Sequence, residues 1–284
     1  MPSPSVKPRS WLFDLFGDYV EHCHPRELAT GSIIALAADF QLSERAIRSA
    51  LLRLQRDGWT EVRRAAGRSF YGLTDAGREL IDRGRERIMH GPEHDWDGRW
   101  AVLTYTIPET RRELRDRLRA ELSWLGFGGL GSGLFVSPRD HESEVQALGA
   151  KYSLDGAITL FRAEHLWPGD NRALATRCWD LAGLNAAYRD FVDTFQPFCE
   201  LNGLDDRQRF LARFRLINGY RRFPFQDPGL PAELLPAGWL GFQAAALFDD
   251  LHERLAAGAG RYFASVTDPS GFNVQPGFQA ISQA

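Results

Sequence analysis

The segment from Glu27 to Gly77 decides the fold, and its central part reads Ser43-Glu44-Arg45-Ala46-Ile47-Arg48-Ser49-Ala50-Leu51-Leu52-Arg53-Leu54-Gln55-Arg56. Apolar residues recur here at the spacing of one helix face: Ile47, Ala50, Leu51 and Leu54. The opposite face is polar and carries Arg45, Ser49 and Arg56, with Arg48 on its flank. Ser43 is a favourable N-cap, and Gly58 is a favourable helix end. The pattern therefore predicts an amphipathic helix that begins at Ser43 and ends near Gly58.

Further elements are predicted on both sides of this helix. The apolar run Gly31–Ala37 is suited to a packed helix, and Ser10–Tyr19 predicts another helix that packs on these two. Two extended segments follow, Trp59–Arg64 and Ser69–Leu73, which a short turn joins into a hairpin. Helix, short turn, helix and hairpin is the order of a winged helix-turn-helix, a fold that places its second helix in a DNA major groove.

Positive charge is concentrated on the predicted helix and hairpin. Seven arginines but only two acidic residues occur between Arg45 and Arg68, which is the local excess that a phosphate-binding surface requires. Charge alone would favour a solvated face on an ordinary helical domain, but the order of the elements favours DNA. The predicted DNA-binding set has eight members: Ser43, Arg45, Arg48, Ser49, Arg56, Arg63, Arg64 and Arg68.

The composition is that of a globular chain with two or three domains. Of the 284 residues, 44% are hydrophobic, and the net charge of -3 divides into +2 over residues 1–90 (14 basic, 12 acidic) and -5 over the rest (20 basic, 25 acidic). Three cysteines lie far apart in the sequence, so we predict no disulfide framework and expect a reducing cytoplasm. Neither a secretory signal nor a membrane-spanning segment is expected.

The middle of the chain predicts strands that alternate with helices. Ala101–Ile107 is rich in the β-branched and aromatic residues that strands favour, and a helix with a leucine stripe follows it. Further strands are predicted near 127–130, at 134–136 and at 157–161, with a second helix from Arg139 to about Gly149. The resulting order, β-α-β-β-α-β, is that of a ferredoxin-like domain.

The last third of the chain predicts mainly helices. Helical patterns run over Trp179–Phe191, Asp206–Ile217 and Phe242–Tyr262. Between the last two, Tyr220–Pro231 is proline-rich and predicted to be extended, because it cannot be helical throughout. The predicted fold class is therefore α+β. Its three domains are a winged helix-turn-helix over 1–91, a ferredoxin-like domain over 92–165 and a helical domain over 166–284.

Two motifs could suggest chemistry, but each has a simpler explanation. Gly126, Gly128 and Gly131 match G-x-G-x-x-G, yet they follow a predicted helix and precede a strand, whereas a dinucleotide site needs the reverse order. His22-Cys23-His24 has no second ligand pair at a metal-site spacing. No hydrolase, P-loop or zinc-protease motif occurs either. We therefore expect no enzyme activity, no metal and no cofactor.

A series of short motifs is spread over most of the chain: Gly17-Asp18-Tyr19, Gly31-Ser32-Ile33-Ile34, Leu42-Ser43, Leu51-Leu52-Arg53-Leu54, Asp57-Gly58-Trp59, Gly67-Arg68-Ser69-Phe70-Tyr71, Leu73-Thr74-Asp75-Ala76-Gly77, Trp96-Asp97-Gly98-Arg99-Trp100 and Asp227-Pro228-Gly229-Leu230-Pro231-Ala232-Glu233-Leu234-Leu235-Pro236. Together they resemble the PaaX family of bacterial transcriptional repressors. The last motif is long and unusual, which makes the resemblance specific.

The resemblance implies a winged-helix N-terminus, a central domain similar to a small CRISPR-associated endoribonuclease, and a helical C-terminal domain. It also implies repression of an aromatic-catabolism operon, with phenylacetyl-CoA as the inducer in the best-known group. The nuclease relatives use an aspartate at the end of their first strand, whereas this strand reads Leu103-Thr104-Tyr105-Thr106-Ile107, which argues against nuclease activity. Two alternatives stay open: a nucleic-acid-processing protein, and a scaffold whose winged helix binds protein.

The expected partners are a double-stranded DNA operator, an aryl-CoA effector and a second copy of this chain. One winged helix reads one half-site, so a symmetric homodimer supplies palindromic recognition. A CoA thioester needs cations for its phosphates and an apolar slot for its acyl group. The predicted effector contacts include both cationic and apolar side chains: Arg221, Arg222, Phe223 and Phe225. A structural strap is the alternative role for that proline-rich segment.

Overall fold

The computed structural model describes residues 7–89 (backbone only for 83–89), 96–154, 156–200 and 203–267. They belong to two compact units. The first unit takes its residues from 1–87, 190–222 and 242–284, and the second takes them from 88–189 and 223–241. Gly91, where the first domain boundary is predicted, lies outside the described residues. Within the described ranges, every helix is too short or too polar to cross a membrane.

The N-terminal part of the first unit confirms the predicted winged helix-turn-helix. Its elements are helix α1 (Pro8–Asp18), a 3₁₀ turn (Val20–His22), strand β1 (Glu27–Ala29), helices α2 (Thr30–Ala38) and α3 (Glu44–Arg56), strands β2 (Thr60–Ala65) and β3 (Arg68–Leu73), and helix α4 (Asp75–Met89). The strands form an antiparallel sheet in the order β1-β3-β2. Strand β1 is not predicted from the sequence, because three residues are too few to show strand alternation.

Local hydrogen bonds fix both ends of α3. Ser43 Oγ accepts a hydrogen bond from the Ala46 amide at 3.3 Å, which confirms the predicted N-cap. After the helix, Gly58 takes a left-handed conformation with φ of 78°, which a residue without Cβ adopts at no steric cost. Thr74 Oγ1 donates to the Gly58 carbonyl at 2.7 Å and so ties the chain before α4 to the end of α3. Helix α3 is therefore held between two specified ends.

The central part of the second unit confirms the predicted ferredoxin-like order. Its elements are strand β4 (Arg99–Tyr105), a 3₁₀ turn (Glu109–Arg111), helix α5 (Arg112–Trp124), strands β5 (Gly128–Gly131) and β6 (Leu134–Ser137), helix α6 (Glu142–Tyr152) and strand β7 (Ile158–Glu164). The described strands form an antiparallel sheet in the order β5-β6-β4-β7. Helices α5 and α6 bury Leu118, Leu122, Val145 and Leu148 in one core with this sheet.

A second apolar core lies on this sheet. It includes Trp100 and Val136 from the strands, residues of helix α7 (Asn171–Cys178), and the chain at Leu230–Leu235. Gly128 of β5 permits this close packing, because a Cβ there would lie 2.5 Å from the Trp179 ring. The G-x-G-x-x-G glycines thus follow α5 and lie in or beside β5, where packing rather than a ligand accounts for Gly128.

The rest of the described chain is helical. It contains α8 (Leu181–Phe195), α9 (Asp206–Tyr220), α10 (Phe223–Gln226) and α11 (Gly241–Val266), with 3₁₀ turns at Gln196–Cys199 and Ala232–Leu234. The proline-rich segment is not extended throughout, since α10 forms one helical turn within it. Helices α9 and α11 belong to the first unit, whereas α10 belongs to the second. The three predicted domain ranges stay predictions.

Helices α9 and α11 share one core with the winged helix. Trp11 of α1 stacks on Phe214 of α9 with ring centroids 5.5 Å apart. Tyr19, directly after α1, stacks on Phe214 at 5.5 Å and on Phe263 of α11 at 5.1 Å. All four side chains are almost completely buried. Helix α1 also packs on α3, so it lies in contact with both α3 and the C-terminal helix α9.

Candidate nucleic-acid interface

The exposed side of α3 is the candidate surface for nucleic acid. Ile47 and Leu54 are fully buried in the core of the first unit, which fixes the rotation of the helix. Five exposed side chains lie on the opposite side or, for Arg48, on its flank, and we call them the recognition face: Arg45, Arg48, Ser49, Leu52 and Arg56. The sequence-based set contains all of them except Leu52. Helical spacing would have found it, because Leu52 lies seven residues after Arg45 and three after Ser49.

Arg48 of the recognition face has an acidic neighbour on its own helix. Its Nε donates to Glu44 Oε1 at 2.8 Å, and both side chains are 57% exposed. An exposed pair four residues apart on a helix contributes about 0.3–0.5 kcal/mol to stability. The Arg48 guanidinium can therefore exchange this carboxylate for a phosphate or a base edge at little energetic cost.

The three predicted wing arginines differ in their surroundings. Arg63 Nε donates to both carboxylate oxygens of Glu27 at 3.0 and 2.9 Å, and Arg63 Nη2 donates to Glu27 as well. Its guanidinium also lies 4.7 Å from the centre of the Phe70 ring. These hydrogen bonds raise the pKa of Arg63 and join β2 to β1 across β3. Arg63 is thus held against the sheet, although its side chain is exposed. Arg64 and Arg68 are exposed as well and lie nearer the tip of the hairpin.

A two-residue turn forms the tip of this hairpin. Ala66 and Gly67 have φ values of 48° and 73°, and positive φ at both central residues is what a type I′ turn requires. Such a turn matches the twist of the strands that it joins. Arg64 and Arg68, next to the turn, are therefore carried by a regular hairpin and not by an irregular loop.

A buried ionic cluster joins α1 to the C-terminal helices of the first unit. Arg213 of α9 donates to Asp18 Oδ1 at 3.2 Å, and His252 Nε2 of α11 lies 2.9 Å from the same oxygen. Burial acts to raise the pKa of Asp18, but the Arg213 charge and the His252 hydrogen bond hold it at about 2. One turn earlier, Asp14 accepts from Arg221 at 3.2 Å, yet burial prevails and raises the pKa of Asp14 to about 6. Charge as well as apolar packing thus holds α1 against α9.

The four predicted effector residues are divided between the two units. Arg221 is engaged with Asp14, and its Nη2 also donates to Ser10 Oγ at 2.5 Å. Phe223 is buried in the second unit and stacks on Tyr188 with centroids 4.0 Å apart. Phe225 is exposed and Arg222 is exposed as well. The structure therefore gives Arg221 and Phe223 internal partners, and the assignment of the four to an effector site stays a prediction.

The His22-Cys23-His24 motif is not assembled into a metal centre. Cys23 is buried and its Sγ donates to the Tyr19 carbonyl at 3.3 Å, and burial raises the pKa of the thiol to about 11. His22 and His24 are exposed. Among the described residues, no group of three His, Cys, Asp or Glu side chains is placed to hold a metal ion.

The helix-turn-helix, its arginine-bearing second helix and its hairpin define a protein of the winged helix-turn-helix class. Three family models match the chain: "PaaX-like protein" over residues 7–77, "PaaX protein central Cas2-like domain" over 93–175, and "PaaX-like protein C-terminal domain" over 179–265. The chain belongs to the PaaX family of transcriptional repressors, as its motifs predict.

Two individual proteins are similar over most of their length. The transcriptional repressor PaaX of Escherichia coli K12 is 34% identical over 262 residues, which cover 89% of this chain and 82% of that protein. The uncharacterized protein Rv0674 of Mycobacterium tuberculosis has a solved structure that matches with a TM-score of 0.61 and 27% identity, covering 91% of this chain and 99% of that one. Both similarities extend through all three family regions and not only the winged helix.

Proposed function

We propose that this protein represses an aromatic-compound catabolic operon of the phenylacetate type and is released from its operator by an aryl-CoA such as phenylacetyl-CoA. The observation that carries the proposal is the recognition face on α3, exposed beside a regular hairpin that bears Arg64 and Arg68, in a chain of the PaaX family. The E. coli relative is a transcriptional repressor, which supports a regulator in preference to an enzyme. We also propose that the protein acts in the cytoplasm, as a homodimer on a palindromic operator.

A gel-shift titration of the full chain tests this function. The probe is the upstream region of the protein's own gene, and the competitor is the same length of scrambled duplex. We expect a specific complex that phenylacetyl-CoA dissociates, while free phenylacetate and CoA alone leave it intact. A complex that forms equally on scrambled DNA would contradict operator recognition. A specific complex that no aryl-CoA dissociates would contradict only the effector.

A nuclease role for the ferredoxin-like domain is the alternative, and its first strand does not favour it. The end of β4 carries Tyr105, which is 9% exposed and stacks on Phe135 with ring centroids 5.8 Å apart. A carboxylate that could bind a catalytic metal is therefore absent from the described end of this strand. Incubation of DNA and RNA with Mg²⁺ or Mn²⁺ should give no cleavage, and metal-dependent cleavage would revive the alternative.

A further inference from the structure

Leu52 is an apolar side chain in the middle of the recognition face. Its side chain is 61% exposed, whereas the neighbouring leucines of the same helix, Leu51 and Leu54, are buried in the core of the unit. Arg48 precedes it by one turn and Arg56 follows it by one turn, and both are exposed. A leucine among cations at this place cannot assist in binding phosphate, because it has neither a charge nor a hydrogen-bond donor. Its only means of contributing to a complex is apolar contact.

In the major groove, the edges of the base pairs carry one apolar group, the C5 methyl of thymine. Guanine and adenine present donors and acceptors there, and cytosine carries only a hydrogen at C5 beside its N4 donor. We propose that Leu52 contacts the C5 methyl of a thymine in the operator, which makes it a residue that selects an A·T pair. This inference rests on the proposed DNA-binding function, and it adds a specificity that arginine contacts do not supply.

Helix geometry places this thymine relative to the neighbouring contacts. With a rise of about 1.5 Å per residue, Leu52 lies about 6 Å along the axis from Arg48 and from Arg56. Base pairs are stacked about 3.4 Å apart, so 6 Å is roughly two base-pair steps. The thymine should therefore lie within about two base pairs of the pair that Arg48 contacts.

Replacement of thymine by deoxyuridine tests the contact directly, because it removes the methyl group and leaves base pairing unchanged. The operator is recovered by selection from random duplexes with the wild-type chain and is then made with dT or with dU. Removal of one buried methyl should weaken wild-type binding about fourfold. In Leu52→Ala the dT/dU affinity ratio should fall to about one, and in Leu52→Met, which restores an apolar contact, it should recover. Single dT→dU substitutions should then locate the effect at one position per half-site.

Leu80→Ala is the matched control. Leu80 is also an exposed leucine, 38% accessible, but it lies on α4 and outside the recognition face. This variant should keep the wild-type ratio. Leu52→Ala should fold normally, because an exposed Leu→Ala change on a helix loses no core contact and alanine has the higher helix propensity.

Three results would overturn the proposal in distinguishable ways. If selection enriches no operator, the DNA-binding function itself fails and the inference fails with it. If an operator is found but Leu52→Ala keeps the wild-type dT/dU ratio, the function stands and the thymine contact is wrong. A change in oligomeric state in Leu52→Ala with an unchanged ratio would instead assign Leu52 to a contact between copies, and would also overturn it.

Discussion

The substitution Asp18→Asn should lower the free energy of unfolding by about 2–5 kcal/mol. It preserves the size of the side chain and removes the charge that faces Arg213 at 3.2 Å and His252 at 2.9 Å. The lowering of the Asp18 pKa from 3.8 to about 2 corresponds by linkage to about 2–3 kcal/mol of stabilisation. Arg213 is only 2% exposed and would lose this carboxylate. Breaking a buried pair by removing one partner costs about 3–5 kcal/mol.

Urea unfolding at neutral pH, followed by far-ultraviolet circular dichroism, measures this loss as a lower midpoint at constant slope. Asp250→Asn is the control on α11, since Asp250 forms an exposed pair with Arg254 at 2.8 Å. That change should cost no more than about 0.5 kcal/mol. The double variant Asp18→Asn/Arg213→Met should recover part of the loss, because it no longer leaves the Arg213 charge buried without its carboxylate.

The pH dependence of the loss has a defined sign. The folded pKa of Asp18 lies below its ordinary value of 3.8, so the carboxylate stabilises the fold above about pH 4 and this contribution is lost as the pH falls towards 2. The difference between the wild type and Asp18→Asn should therefore be constant above about pH 5 and shrink below about pH 4. The raised pKa of Asp14 has the opposite sign. The Asp18 charge makes the smallest contribution to it, so most of this effect is common to both proteins and cancels. A loss at neutral pH no larger than that of Asp250→Asn would refute the reasoning.

Three further outcomes are expected. Arg48→Ala should weaken operator binding by about 1–3 kcal/mol and relax the preference at one or two base pairs. Arg68→Ala should weaken binding to operator and scrambled DNA alike and reduce the slope of log affinity against log salt concentration by about one unit. Titrations at several salt concentrations separate the two effects. In a thermal melt, Gly77→Ala should destabilise the fold by about 1–3 kcal/mol, because its Cβ would lie 2.2 Å from the Trp59 carbonyl oxygen. The control Gly31→Ala should be neutral or stabilising, because its Cβ meets nothing within 4 Å. Light scattering at micromolar concentration should give the mass of a dimer, and a monomer there would contradict the proposed half-site symmetry.

Local sequence patterns were sufficient for the elements that carry the candidate site. The spacing of Ile47 and Leu54 and the cap at Ser43 are properties of one short segment, and the structure shows the predicted helix with that cap. The same reasoning applies to the ferredoxin-like order, since each of its strands and helices has its own periodicity. Helical spacing also places Leu52 on the exposed side of α3, but a search for cationic side chains does not select an exposed leucine.

Contacts between distant residues could not be predicted in this way. Arg213 meets Asp18 across 195 positions of sequence, and neither residue type nor spacing identifies that partner. Likewise, the sequence does not distinguish Arg63 from the other wing arginines. The pairing of β1 with β3 is what places Glu27 within hydrogen-bond distance of Arg63. Arg221 likewise donates to Asp14, which lies 207 positions away in the sequence. Charged side chains are thus the residues whose roles a sequence leaves most open, because their partners depend on tertiary structure.

The position of α1 bears on the release by a ligand that is proposed above. Helix α1 packs on both α3 and α9, so the helix that carries the recognition face and a C-terminal helix contact the same element. A ligand shifts DNA binding only as far as its own affinity differs between two conformations, and tenfold release needs about 1.4 kcal/mol. Disruption of a single buried pair such as Asp18–Arg213 involves about 3–5 kcal/mol, which exceeds that amount. For the effector proposed above, a shift of α9 against α1 would therefore be enough to weaken operator binding tenfold without contact with α3.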